Sequence, residues 1–252
     1  MAILKLDSTG NDVKQWQQFL LSQGYTSILP DGIFGNNTDI ATRDFQTKHG
    51  LVPDGEVGPI TWGFTSSMFH SFPNIIKSNA DVLRWIKNNL ELYIKIASTG
   101  TKFTEDWLAA IACRETGGLI TRYVNRGVQL NEMAGLMEGD FTHGHYHGFS
   151  FWQIDIRSFP DFINSGDWKY PQKAAVKAVQ VLEQKEQSLI NLHIANFNLS
   201  AEDFDKAITA AYNCGEGNVI SALENNEGID SHTANGNYST QVFQFRTIYN
   251  SF

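Results

Sequence analysis

The carboxyl group of Glu115 is the side chain in this sequence with the clearest capacity for chemistry. It follows a run of good helix formers at residues 104–112. Leu108, Ile111 and Ala112 precede it by seven, four and three positions and therefore share its helix face. A carboxyl on a face that the core covers loses water, which raises its pKa towards neutral. Glu115 is therefore a candidate proton donor.

Two glycines follow this carboxyl group directly. Gly117 and Gly118 are expected to end the helix and to let backbone or a ligand approach Glu115. The alternative interpretation is an ion pair between Glu115 and Arg114 or Arg122, because structural ion pairs also perturb carboxyl groups. The helix alone leaves both interpretations open.

Length and composition restrict the class of protein. The chain has 252 residues, enough for two domains with separate cores. Its formal charge of -8, without a basic cluster between aromatic residues, argues against nucleic acid as a partner. The sequence contains no run of about 18 apolar residues, so no stable membrane insertion is expected. Residues 1–7 lack the apolar core of a signal peptide, so we expect no export by the ordinary signal route.

Two cysteines and a group of three histidines are the residues whose types could bind a metal ion. Cys113 and Cys214 are too few for a disulfide scaffold and lack metal-site spacing, so free, buried thiols are expected. The alternate histidines His143, His145 and His147 would point one way in a strand and could meet a zinc ion. Their loop offers no clear acidic or cysteine partner. We therefore expect neither a metal nor a cofactor.

The N-terminal part of the chain contains an internal duplication. Its first copy, at residues 30–35, reads PDGIFG and leads into a helical pattern that ends near His49. The second copy, at residues 53–58, reads PDGEVG and begins 23 residues later. Thr38 and Thr61 each lie three residues beyond the last glycine of their copy. The repeat predicts that one turn and helix start are used twice.

Residues 4–66 resemble the peptidoglycan-binding domain family, a small three-helix module often attached to cell-wall hydrolases. The residues that carry the resemblance are Gly10, Val13, Gln17, Leu20, Gly24, Tyr25, Asp31, Gly32, Phe34, Gly35, Thr38, Ala41, Phe45, Gln46, Gly50, Leu51, Asp54, Gly55, Val57, Gly58, Thr61 and Trp62. The resemblance implies a domain at residues 1–68 that binds bacterial peptidoglycan. We expect a shallow groove near the start of the second helix, with Asp31, Phe34 and Asn36 at its rim.

A second domain follows a short connection. Residues 66–74 contain serine and proline and have no regular period, which predicts a linker at residues 69–80. Helical periodicity then returns, so residues 81–252 are expected to form a mostly helical domain. The exception is GFSFWQID at residues 148–155, which predicts a short extended segment that lines a cleft. The expected fold class is therefore mostly α, with a short β segment in an α-rich (α+β) second domain.

Four motifs in this second domain resemble the goose-type lysozyme and lytic transglycosylase superfamily, whose members cut the bond between N-acetylmuramic acid and N-acetylglucosamine. The resemblance spans about residues 80–250 and implies a lysozyme-like domain. The motifs are Arg114-Glu115-Thr116, Gly148-Phe149 with Gln153-Ile154-Asp155 and Arg157-Ser158, Ala211-Tyr212-Asn213 with Gly215 and Gly217-Asn218-Val219, and Tyr238 before a final helix.

The resemblance implies roles for three carboxyl groups. Glu115 takes the place of the family's general acid. Asp155 matches an acidic position of the goose-type branch that transglycosylases generally lack, and Asp140 is the nearest candidate for a second one. In an inverting hydrolase such a carboxylate activates water. Asp155, and after it Asp140, are the candidates for this base, although an ion pair with Arg157 is an alternative for Asp155.

The remaining candidates would bind the sugar or the attacking water. On the resemblance and the cleft segment together, they are Gln153, Tyr212, Asn213, Tyr238, Phe149 and Ser150. Ser150 replaces a glycine of the usual pattern at the cleft floor. The alternative for the polar members of this set is a buried network that holds the loops.

The two resemblances together imply a modular cell-wall lytic enzyme of the phage endolysin type. An N-terminal anchor would raise the local substrate concentration for a C-terminal muramidase. We expect a soluble monomer made in the host cytoplasm, with a holin-type partner that releases it to the wall. The alternatives are a lytic transglycosylase, which leaves 1,6-anhydro ends, and a non-catalytic wall-binding or virion structural protein.

Overall fold

The computed structural model describes residues 3–67, 75–128 and 130–252. Within these ranges the chain forms eleven α-helices and one antiparallel three-stranded sheet, which confirms the mostly α fold class. The helices are α1 (Asn11–Ser22), α2 (Asn36–Lys48), α3 (Pro59–Ser67), α4 (Asn79–Ser98), α5 (Glu105–Val124), α6 (Leu130–Ala134), α7 (Pro160–Asn164), α8 (Pro171–Asn191), α9 (Ala201–Cys214), α10 (Glu216–Glu224) and α11 (Tyr238–Tyr249). The strands are β1 (Glu138–Thr142), β2 (His145–Phe149) and β3 (Ile154–Asp155).

The two copies of the duplicated turn fold in the same way. In the first, the side-chain amide of Gln17 accepts a hydrogen bond from the backbone N–H of Gly32 (2.9 Å) and donates to the aspartate before that glycine. In the second, Gln46 makes the same pair of bonds with Gly55 (2.9 Å) and its preceding aspartate. Both glycines have a positive φ, of 81° and 73°, which explains why the repeat keeps glycine there. Each turn is thus fixed by a glutamine from the preceding helix.

The core of the first domain includes one residue that was expected at its surface. Phe34 is 0% exposed and lies in the core with Trp16 and Phe45, so its predicted position at the rim of a groove is wrong. A domain this small needs its aromatic rings inside to bury enough apolar surface. The other two predicted rim residues, Asp31 and Asn36, are exposed.

The connection between the two parts is described only near its end. Residues 69–74 of the predicted linker at residues 69–80 lie outside the described residues. Helix α4 begins at Asn79 with a complete capping box. The hydroxyl of Ser78 accepts from the N–H of Asp81 (3.2 Å), and the Asp81 carboxylate accepts from the N–H of Ser78 (3.0 Å). The sequence Ser-x-x-Asp is therefore the signal that starts the second helical part.

Helix α5 is longer than expected. It runs through Gly117 and Gly118 to Val124, so the prediction that the two glycines end it is wrong. Ile120, beyond the glycines, is fully buried, and this packing outweighs a helical cost of about 1 kcal/mol for each glycine. Glu115 therefore lies in the middle of a helix rather than at its end.

The same helix is the centre of the second part. Every residue from Trp107 to Cys113 is buried, so the helix is apolar on all sides. It packs against α4, α8 and α11. An acid carried by such a helix is held rigidly, because three neighbouring helices surround its support.

The predicted extended segment at residues 148–155 proves to be parts of two strands joined by a turn. Strands β1 and β2 form a hairpin in which Glu138 pairs with Phe149, and β3 pairs with the end of β2. The four residues between β2 and β3 form the turn. The short β segment of the fold prediction is therefore confirmed as a small sheet. Among the described helices, none is long and apolar enough to cross a membrane.

Candidate active site

The carboxyl group of Glu115 lies at a cavity of about 470 Å³ in the second part of the chain. It accepts a hydrogen bond from the hydroxyl of Tyr238, the first residue of α11. Burial raises the pKa of Glu115 from its ordinary value of 4.5 to about 7, although the Tyr238 hydrogen bond and the charge of Arg114 both act to lower it. The residue is half-buried at the cavity, and burial of its carboxyl group is the largest cause of the raised pKa. It can therefore hold a proton near neutral pH and donate it.

Six residues predicted from the sequence line this one cavity. They are Glu115, Asp140, Gln153, Asp155, Tyr212 and Asn213. The wall also contains residues that the sequence did not single out as site residues, namely Leu119, Glu138, Gly139, His147, Gly148 and Arg157. Leu119 follows Glu115 by four positions, so a prediction of α5 that ran past its glycines would have included it.

A second cavity, of about 600 Å³, adjoins the first. The two share the side chains of Gln153, Asp155, Arg157, Tyr212 and Asn213 as a common wall. The two adjacent cavities, which we call the groove, suit an extended ligand.

The turn between β2 and β3 is fastened to the helices on both sides. Thr116, the residue after Glu115, donates a hydrogen bond from its hydroxyl to the carbonyl of Phe151 (3.0 Å). The indole N–H of Trp152 donates to the carbonyl of Leu108 (3.0 Å), and the Tyr212 hydroxyl donates to the carbonyl of Trp152 (2.7 Å). These bonds hold the sheet, the acid helix and the bend after α9 in one arrangement.

The side chain of Gln153 packs across two glycines of the hairpin formed by β1 and β2. Its side chain lies against Gly139 and Gly148, which face each other in β1 and β2. A Cβ atom on either glycine would overlap the amide of Gln153. The Gln153 amide also donates to the carbonyl of Ser150 (3.0 Å). Both glycines are therefore needed for Gln153 to lie in the cavity wall.

Three of the predicted substrate-binding residues are buried away from that wall. Ser150 is fully buried and its hydroxyl accepts from the N–H of Trp152 (3.2 Å). The ring of Phe149 packs edge-on against Trp168, with ring centroids 5.1 Å apart. Tyr238 is 1% exposed and contacts the acid. These three side chains make contacts within the protein instead, because β2 enters the core at its end and α11 begins next to Glu115.

Asp155 is paired with Arg157 through two oxygens. Three hydrogen bonds of 2.8 to 3.0 Å join the guanidinium to the carboxylate. Burial alone would raise the pKa of Asp155, but the bonds from Arg157 outweigh it and the pKa is lowered. Asp140, more exposed, lies 3.9 Å from the same guanidinium. Asp155 is therefore ionised at the pH where Glu115 is protonated.

The histidines do not form a cluster. His143 lies in the hairpin turn, while His145 and His147 lie in β2. Of the three, His147 lines the cavity. Across the described ranges, no group of three or more histidine, cysteine, aspartate or glutamate side chains is placed to hold a metal ion.

The two cysteines are free. Cys113 is buried as predicted, and burial raises the pKa of its thiol to about 12. Cys214 is only half-buried, contrary to the prediction, because it ends α9 at the groove; burial raises its pKa also. A thiol with a raised pKa is a poor nucleophile, so the geometry favours acid–base chemistry over thiol chemistry.

Asp230 belongs to the site although no sequence pattern pointed to it. Its buried carboxylate accepts from the backbone N–H groups of Ser239 (2.7 Å) and Thr240 (3.0 Å), in the first turn of α11. These bonds outweigh the effect of burial and lower the pKa of Asp230. The Thr233 hydroxyl in the same loop accepts from the N–H of Tyr238 (3.2 Å). The loop thus fixes the helix end from which the Tyr238 hydroxyl reaches the acid.

Removal of the Asp230 cap should change the pKa at which Glu115 titrates. We expect Asp230→Asn to weaken the hydrogen bond from Tyr238 to Glu115 and so to raise the pKa of Glu115 above about 7, because that bond stabilises the charged carboxylate. Tyr238→Phe, which removes the bond, should give the full increase of about one pH unit. Since a general acid works protonated, the alkaline limb of any activity profile should move to higher pH.

The measurement is an NMR titration of the Glu115 side-chain carboxyl carbon in the full chain. Asp81→Asn is the matched control, because it removes a capping carboxylate from α4 instead. It should lower the stability without moving this titration. An equal shift in the Asp81 variant, or none in the Asp230 variant, would show that the Asp230 cap does not act on the acid.

Comparison with known proteins finds a relative that matches part of the chain and a solved structure of low similarity. An "Uncharacterized protein in bpoA1 3'region" from Kitasatospora aureofaciens is 44% identical over 61 residues, which is 24% of this chain and 52% of the relative. The chain thus spans about half the length of that relative. The crystal structure of a Burkholderia AP3 phage endolysin is 19% identical with 100% of both chains covered, and its TM-score of 0.28 is too low to indicate a shared fold. Residues 9–64 match the family model described as "Putative peptidoglycan binding domain", which confirms the domain predicted for the N-terminal part of the chain.

Proposed function

We propose that the chain is a peptidoglycan-degrading muramidase of the modular endolysin type, which hydrolyses the β-1,4 bond between N-acetylmuramic acid and N-acetylglucosamine. The main support is the presence in one cavity of a carboxyl with a raised pKa, Glu115, and one with a lowered pKa, Asp155. Opposite shifts in neighbouring carboxyl groups identify an acid and a base. Glycosidic cleavage by inversion needs both.

In this mechanism Glu115 gives its proton to the glycosidic oxygen as the bond to the anomeric carbon breaks. The positive charge that develops on the sugar is relieved by a water molecule, whose oxygen bonds to the anomeric carbon and whose proton passes to Asp155. The Tyr238 hydroxyl stabilises the Glu115 carboxylate left after proton transfer, because it already donates a hydrogen bond to it. Gln153, Tyr212 and Asn213 would orient the sugar in the groove.

The N-terminal domain would keep the enzyme on its substrate. Tethering to the wall raises the effective concentration of glycan near the catalytic groove without any new contact at the site. Exposed Asp31 and Asn36 remain the candidates for this binding. Access to the wall would depend on a separate holin-type partner.

A lytic transglycosylase is the second candidate, because Asp155 is held by Arg157 and such an enzyme needs no second carboxylate. The experiment that separates them is mass spectrometry of purified sacculi digested in water enriched in oxygen-18. We expect reducing N-acetylmuramic acid ends that carry the heavy oxygen. Products with unlabelled 1,6-anhydro ends would overturn hydrolysis and establish the transglycosylase instead.

A further inference from the structure

The hairpin that lines the cavity continues beyond it and carries two exposed aromatic rings. Phe141 is 61% exposed and Tyr146 is 43% exposed. The two residues face each other across β1 and β2, and their ring centroids are 4.9 Å apart. The two ring planes are tilted by 58° relative to each other, and we call the two exposed rings together the hairpin aromatic pair.

Strand geometry places this pair next to the groove. Tyr146 lies two residues before Gly148 in β2, so these two residues share one face of the hairpin, and the ring of Phe141 contacts Tyr146. Gln153 covers that face at the two glycines and also lines both cavities. Two residues along a strand span about 7 Å. The hairpin aromatic pair therefore extends the groove on the side of Gln153.

We propose that the hairpin aromatic pair is a saccharide-binding subsite, on which a sugar ring of the glycan strand stacks outside the catalytic cavity. This inference rests on the proposed function, and it adds a second position, beyond Glu115, at which the glycan strand is bound. A pyranose ring has an apolar face of C–H groups, which matches the flat, rigid surface that aromatic side chains offer at low entropic cost. A glycan strand is also long enough to occupy the cavity and its surroundings together.

The test compares oligosaccharides of increasing length. In the Glu115→Gln background, to prevent turnover, binding of N-acetylglucosamine oligomers is measured by calorimetry for the full chain with and without Phe141→Ala and Tyr146→Ala. We expect roughly tenfold weaker binding of the longest oligomers and no change for disaccharides, which the cavity alone can hold. The active enzyme with both substitutions should show a raised KM on long strands and an unchanged kcat.

The matched control is Thr142→Ala with His145→Ala. These residues form the next pair along the hairpin, point to its other face, and are exposed as well. The control should bind like the parent protein. Equal losses in both double variants, or a loss for disaccharides too, would overturn the subsite, since the hairpin fold would then be responsible.

Failure of the subsite and failure of the proposed function would give different results. If the unsubstituted enzyme cleaves sacculi but the aromatic substitutions leave long oligomers unaffected, the subsite is wrong and the proposed function stands. If the unsubstituted chain neither cleaves sacculi nor binds any oligomer, the proposed function fails. Sedimentation that shows a dimer lost on substitution would assign the pair to contact with a second copy and overturn the subsite.

Discussion

Glu115→Gln should reduce the rate of sacculus cleavage by roughly 10²–10⁴-fold, the range expected for loss of a general acid. The amide has the size of the carboxyl and can still accept a hydrogen bond from Tyr238, but it has no acidic proton to transfer. Binding to sacculi through the N-terminal domain should persist. The measurement is turbidity clearing together with counting of new reducing ends, and Glu183→Gln, on the exposed side of α8, is the control.

A stability measurement on the same variant tests the acid without relying on activity. A carboxyl whose pKa is raised on folding stabilises the protein below its unfolded pKa of 4.5, and this stabilisation is lost as the pH rises through about 7. The free energy of unfolding of the parent protein, relative to Glu115→Gln, should therefore fall by roughly 3 kcal/mol between pH 4 and pH 9. A constant difference would show that the carboxyl is solvated.

Clearing at the parental rate by Glu115→Gln would remove the catalytic assignment. The chain would then be a wall-binding protein without this chemistry, in line with the non-catalytic alternative. If the variant no longer clears sacculi but keeps its stability and its binding, loss of the proton donor at position 115 explains the result.

Asp155→Asn should lower hydrolysis by roughly 10²–10³-fold, because the variant cannot accept the proton of the attacking water. The three bonds to Arg157 give the variant a second possible defect, a displaced guanidinium. Asp155→Ala in the presence of azide separates the two. A small anion that fits the vacated space can attack the anomeric carbon in place of the activated water, so the rate should recover and a glycosyl azide should form.

Two results would contradict Asp155 as the base. If Asp140→Asn loses activity while Asp155→Asn keeps it, the base is the more exposed carboxylate beside Arg157. If neither substitution slows cleavage and the ends are 1,6-anhydro, no second carboxylate acts as the base, and the Glu115 carboxylate left after proton transfer accepts the proton of the C6 hydroxyl. Either result is read from the rates and products of the same digestion.

Local patterns predicted those parts of the molecule that local forces decide. The repeated Pro-Asp-Gly turns were recognised because each glycine must adopt a positive φ at a fixed distance from a helix start. Glu115 was recognised because its apolar neighbours at helical spacing showed which face the core would cover. Tyr212 and Asn213 are candidates through the motif Ala211-Tyr212-Asn213, and they line the cavity.

Other features depend on contacts between distant segments. Gly117 and Gly118 predicted a helix end, but packing of α5 among its neighbours carried the helix past them. Phe34 sits in a motif full of turn residues, and nothing local showed that the first domain needs its ring in the core. Asp230 caps a helix that starts eight residues later, which is outside the spacing of any local capping pattern.

The hydrogen bond between Tyr238 and Glu115 joins positions 123 residues apart in the chain. During synthesis on the ribosome Glu115 emerges long before Tyr238, so a nascent chain has the carboxyl group without the hydroxyl that donates a hydrogen bond to it. The complete pair forms only after the last helix has left the exit tunnel and docked. Proteolysis or early termination before α11 would therefore remove both the Tyr238 hydroxyl and the packing of α11 against α5, while residues 9–64 would remain.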